Sequence, residues 1–115
     1  MENRRSQERK YLDYFSRVLD RDSGILIGYL VDLTTGGALI VSNYSLKQNT
    51  ILDLRIDLPE GFSEQKQLDF IAKIVWVLPD IDPEFYRIGI QLVDIRTSDL
   101  TALEHLIINF SNKEH

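Results

Sequence analysis

The chain has 115 residues, 43% of them hydrophobic and 27% charged, which suits one globular domain around a single modest core. It has no cysteine and only two histidines, His105 and the terminal His115, so disulfides and thiol chemistry are excluded and a transition-metal centre is not expected. A net charge of −5, no apolar run near the roughly 20 residues of a membrane span and no signal-peptide pattern argue against binding to long nucleic acid and against membrane insertion; the expected compartment is the cytoplasm.

In chain order, "MENRRSQERK" comes first, with Arg4, Arg5, Arg9 and Lys10 against Glu2 and Glu8. This is a local charge of +2 on a body that sums to −7. Residues 1–10 are expected to form a flexible basic arm, 11–111 the folded domain and 112–115 a tail. "YLDYFSRVLDRDSGILIGYLVDL" reads as two strands joined by turn chemistry at Asp22, Ser23 and Gly24. "DLTTGG" follows, a polar turn between the second strand and a third, "ALIVS".

"ILDLRIDL" alternates, with Leu52, Leu54, Ile56 and Leu58 on one face. "LDFIAKIVWVL" places Phe70, Ala72, Ile74 and Trp76 on one face if the alternation is unbroken, and "YRIGIQLVDI" does the same for Ile88, Ile90 and Leu92. All three prolines fall in the loops flanking these strands. The period then changes: Leu100, Leu103, Ile107 and Phe110 recur at helical spacing, with Thr97 or Ser98 as cap and Asp99 in the first turn. Six strands and one terminal helix predict a small antiparallel barrel or sandwich whose open end the helix covers.

Enzymatic readings find little support. His105 lacks a recognisable serine partner, "TTGG" lacks the GK[ST] ending of a phosphate-cradling loop, and Asp80 and Asp82 read as solvated loop carboxylates. No catalytic residue is assigned and no cofactor or metal is expected. Trp76 reads as a core residue, with a partly exposed ring stacking on a base as the alternative. Arg5 and Arg9, four apart, can converge on one side in either a helical or an extended backbone, and their planar forks suit phosphate oxygens or the O6 and N7 of guanine. The same spacing recurs at Arg17 and Arg21, so the pattern alone is not specific.

Position makes it specific. "RSQER" just before the first strand, followed by "DLTTGG" after the second, resembles the paired motifs of the PilZ domain family, and "AKIVWV", "YRIGIQLVDI" and the final helix resemble the rest of that domain. The resemblance covers residues 5–111. It implies a six-stranded antiparallel barrel with a C-terminal helix, acting as a bacterial cytoplasmic receptor for cyclic di-GMP that signals to a partner protein. It further implies that Arg5 and Arg9 contact phosphates and guanine, and that Asp32, Thr34 and Gly37 form the floor of the site. Arg4, Gly36 and Trp76 are possible additions. Thr34 stands where the family has serine. In a register through Arg9 and Asp13 the second arginine is absent, and PilZ-like domains without the arginines keep the fold as protein-interaction modules, which is the alternative reading. Oligomeric state and partner are not legible.

Overall fold

The structure, a computed structural model, describes residues 17–34, 36–58 and 65–113, and of 109–113 the backbone alone. Six strands, β1 (Arg17–Asp20), β2 (Leu26–Leu33), β3 (Gly37–Ser42), β4 (Ile51–Asp57), β5 (Gln67–Pro79) and β6 (Tyr86–Asp94), precede one helix, α1 (Thr97–Lys113). They close into a barrel in the order β1-β2-β3-β6-β5-β4, every pairing antiparallel. Closure leaves no free strand edge. No described helix is long and apolar enough to cross a membrane.

Alternation fills the interior. Val18, Leu30, Leu54, Ile56, Leu68 and Ile88 are completely buried, joined by Ile40, Phe70, Ala72, Ile74 and Ile90. Burying each large aliphatic side chain contributes about 1.5–3 kcal/mol, which makes this interior the main source of stability. The β1–β2 turn is closed by Asp20, whose Oδ2 accepts hydrogen bonds from the Ser23 amide (2.9 Å) and hydroxyl (2.7 Å).

The helix meets the barrel on a face different from the expected one. Ala102, Leu103 and Leu106 are buried, whereas Leu100 is exposed, Ile107 only half-buried, and the Phe110 side chain lies outside the described residues. The buried stripe begins at Asp99, an acid that the apolar pattern passed over. Its carboxylate is almost fully buried and accepts from Arg96 Nε at 3.0 Å and from the Gln65 side-chain amide. Among the described residues, neither Thr97 nor Ser98 makes the capping hydrogen bond expected of it. Asp82 is a second correction: it is buried rather than solvated, and its Oδ1 accepts from the Glu84 amide at 3.1 Å, shaping the β5–β6 loop.

Arg55 and Asp69 stand directly opposite each other on β4 and β5, joined by two hydrogen bonds of 2.7 and 3.0 Å. The guanidinium's hydrogen bonds hold the Asp69 carboxyl below its ordinary value, against the opposing effect of burial. A carboxyl depressed in the folded state contributes stability above its unfolded pKa, and loses it as pH falls through the lower folded value. Asp69→Asn is therefore expected to cost about 1–2 kcal/mol at pH 7 and progressively less below about pH 4. Urea unfolding at pH 7 and pH 3 checks this; an equal cost at both would refute it.

Candidate functional site

The polar turn of the sequence lies at the end of the β2–β3 hairpin. In that pairing Leu30 faces Ile40 and Asp32 faces Leu39, so Val31 is an extra residue, a bulge. Without it, Asp32 would share the inward face of Leu30. The bulge advances the alternation by one, turning Asp32 out to solvent while Leu33 points back into the core. Asp32 Oδ1 accepts from the Leu33 amide at 2.9 Å, and its other carboxylate oxygen has no described partner.

The turn is held from both sides. The Thr34 amide donates to the Gly37 carbonyl at 2.9 Å, and its hydroxyl donates to the same oxygen at 3.3 Å. The hydroxyl lone pairs remain as acceptors beside Asp32. Gly36 is exposed, and its carbonyl accepts from the Leu92 amide of β6 at 3.0 Å. At Gly37 a Cβ would stand 2.2 Å from the Ile90 carbonyl oxygen, so the close approach that requires glycine there is that of β6. Thr35 lies outside the described residues.

Behind the turn, where the barrel end meets α1, a recess is lined by Leu33, Ala38, Phe70, Ile90, Leu92 and Leu103 together with Thr34 and Gly37 of the turn, and its accessible surface is apolar. Its apolar walls offer nothing to a phosphate or a polar base. The outer wall of the barrel does. Cross-strand pairing runs Asp32–Leu39–Gly89–Trp76 from β2 through β3 and β6 to β5, and directly paired residues share a face.

Trp76 occupies this row because of a second bulge. Ile74 pairs with Ile90 and Trp76 with Gly89, leaving Val75 as the extra residue. The expectation that Trp76 packs inside with Ile74 and Ala72 is thus overturned: Ile74 is 1% exposed and Trp76 36%. The indole lies flat against Gly89, where a Cβ would come within 2.3 Å of Nε1 and Cε2. Only glycine at position 89 lets the ring lie down across β6. Two strand spacings, roughly 10 Å, then separate the Gly89 backbone from Asp32, a gap in which a purine nucleotide fits.

A carboxylate that accepts and an exposed aromatic ring in one row, with an accepting hydroxyl two residues beyond the carboxylate, suit a planar ligand with N–H donors. Arg4, Arg5 and Arg9 lie outside the described residues. Arg17 donates to Asp57 at 2.8 Å, so the repeat of the arginine spacing at Arg17 and Arg21 has a structural use for its first member. Gly89 and the two bulges are parts of the wall that sequence reasoning missed. Their only signal was the doubled β-branched pair in "KIVWV", which does not announce a bulge. Among the described residues, no group of histidines and carboxylates could hold a metal ion.

The geometry has relatives. Residues 3–109 match the family model described as the PilZ domain. The chain resembles the solved PilZ domain with c-di-GMP of YcgR from Escherichia coli, with a TM-score of 0.61, 12% identity and coverage of 87% of this chain and 83% of that one. It also resembles the Bacillus subtilis inhibitor of motility MotI/DgrA, with a TM-score of 0.62 and 20% identity. There 87% of this chain aligns to 47% of the other, so the chain spans about half the length of that protein. No curated protein matches it. At these identities the structural likeness speaks to the fold alone. The family match runs nearly end to end, through the bulged β2–β3 turn, the closed barrel and most of the covering helix: the chain belongs to the PilZ domain family.

Proposed function

We propose that this chain is a bacterial cytoplasmic receptor for cyclic di-GMP that relays the signal to a partner protein without catalysis. The observation that carries the reading is the bulge that turns Asp32 outward, beside Thr34 and in the row of the exposed Trp76. An ionised Asp32 accepts from the N1–H and N2–H of guanine, Thr34 adds a hydroxyl, and the indole offers a stacking face. Gly36, exposed, keeps the turn low beneath the ligand, and Gly37 seats the turn against β6. The basic arm supplies Arg5 and Arg9, with Arg4 beside them, to the phosphates and to the O6/N7 edge of guanine. Ordering that arm opposes binding and gives the ligand a structural change to transmit.

Family membership supports the reading, and so does the Escherichia coli relative, described with c-di-GMP. Relay to a protein partner is in keeping with the Bacillus subtilis relative, described as an inhibitor of motility. Isothermal titration of the full chain with cyclic di-GMP is the test. Saturable binding at micromolar concentration or tighter, weakened in Asp32→Ala, is expected; absence of heat with the wild-type chain would sink the proposal.

A further inference from the structure

We infer that Arg87 is a further ligand-contacting residue, holding a phosphate of the dinucleotide from the β6 side of the wall. This rests on the receptor reading above and extends its site.

Arg87 pairs with Val41 on β3 and with Leu78 on β5. It stands two residues before Gly89 on β6, so its side chain leaves the barrel on the outer face that carries Asp32 and Trp76. One strand step of two residues, roughly 7 Å, separates it from the row on which the indole lies. A dinucleotide lying between Asp32 and the Trp76 ring has its ribose–phosphate edge beside that row.

Charge and position together single Arg87 out: of the described arginines, Arg21 and Arg87 make no ion pair with a described residue, and Arg21 lies in the β1–β2 turn. Arg17 of β1, Arg55 of β4 and Arg96 just before α1 are each engaged by a carboxylate, those of Asp57, Asp69 and Asp99 in turn. Arg87 is exposed and makes no ion pair with a described residue. On the other side of the Asp32–Trp76 row, Lys73 pairs with Gln91, which pairs with Gly37. Across these three rows the charged side chains are Asp32, Arg87, Lys73 and the already neutralised Arg17. Beyond its first ten residues the chain sums to −7, yet this strip is net positive around an exposed aromatic ring. Such a surface suits an anion that also carries a flat base. The guanidinium fork matches two phosphate oxygens at once, and the adjoining indole and Leu78 lower the local dielectric, strengthening the attraction.

The test is titration of full-length protein with cyclic di-GMP at low and high salt, using Arg87→Ala, Arg87→Lys and Arg21→Ala. Arg21 lies in the β1–β2 turn, its amide bonded to Asp53 of β4, so its loss makes the same charge change away from this wall. Arg87→Ala is expected to bind about tenfold more weakly, with a flatter salt dependence, because one charge-assisted contact is lost. Arg87→Lys should recover part of that loss, since it keeps the positive charge on the phosphate but not the two-pronged fork. If Arg87→Ala matches Arg21→Ala while the wild type binds, the inference is overturned and the receptor reading stands. Equal losses in the alanine and lysine variants would overturn the phosphate assignment. Failure of the wild-type chain to bind would overturn the receptor reading and this inference with it.

Discussion

Replacing Arg5 and Arg9 together by alanine is expected to weaken cyclic di-GMP binding by about a hundredfold or more, with the unfolding midpoint unchanged. Each arginine in the proposed site makes a charge-assisted or bidentate contact of about 1–3 kcal/mol, and every 1.4 kcal/mol is roughly tenfold in affinity. Every described residue of the barrel interior comes from β1 onward, and removing two charges from the first ten residues is expected to leave that interior intact. Titration reads the affinity, and thermal unfolding reads the stability. Wild-type affinity in the double variant would refute the role of the arm. The two single variants add a register test: comparable losses fit "RSQER", whereas a loss confined to Arg9→Ala would mean that the arm meets the ligand in the register of Arg9 and Asp13.

The largest loss of stability is expected from Leu106→Ala, about 2–5 kcal/mol. Leu106 is completely buried and belongs to the same apolar cluster as Leu33, Phe70 and Ile90. Truncating it removes the transfer free energy of the side chain and leaves a void between α1 and the barrel end. A domain of this size has a total stability of roughly 5–15 kcal/mol, so the change should be plain in urea unfolding. Ile108, two residues further along α1 on its opposite side and 58% exposed, serves as the comparison: Ile108→Ala should change stability by about 0.5 kcal/mol or less. Equal effects at the two positions would overturn the picture of α1 as the cover of the barrel. The recess behind the β2–β3 turn touches Leu103 of the same helix, so loosening α1 also removes support from beneath Thr34 and Gly37.

How much of this was legible depends on the range of the forces involved. The strands of "ILDLRIDL" and "YRIGIQLVDI" could be read directly, because alternation reports which residues can share a buried face. Leu54, Ile56, Ile88 and Ile90 are all interior. The helix existed where its period said, but its contact face did not follow the largest apolar residues. Asp99 turns inward because Arg96 and Gln65 satisfy its carboxylate; Arg96 is a near neighbour, but Gln65 lies 34 residues away in sequence. Likewise Asp82 is buried because the loop around it supplies the amide it needs.

Six strands, a terminal helix, the interior of most strands and the pairing of an arginine arm with "DLTTGG" that resembles the PilZ family could all be read from the residues alone. Those features rest on local period and on residue types at fixed spacing. The directions in which Asp32 and Trp76 face came instead from the pairing of strands in the closed barrel. Each depends on one extra residue, Val31 or Val75, and a bulge is defined by the partner strand opposite it. That pairing also decided that Gly37 is needed for the approach of β6 and that Gly89 makes a bed for the indole. A strand carries its own alternation, but register belongs to a pair of strands, and that is why the wall of the site became visible only when the barrel closed.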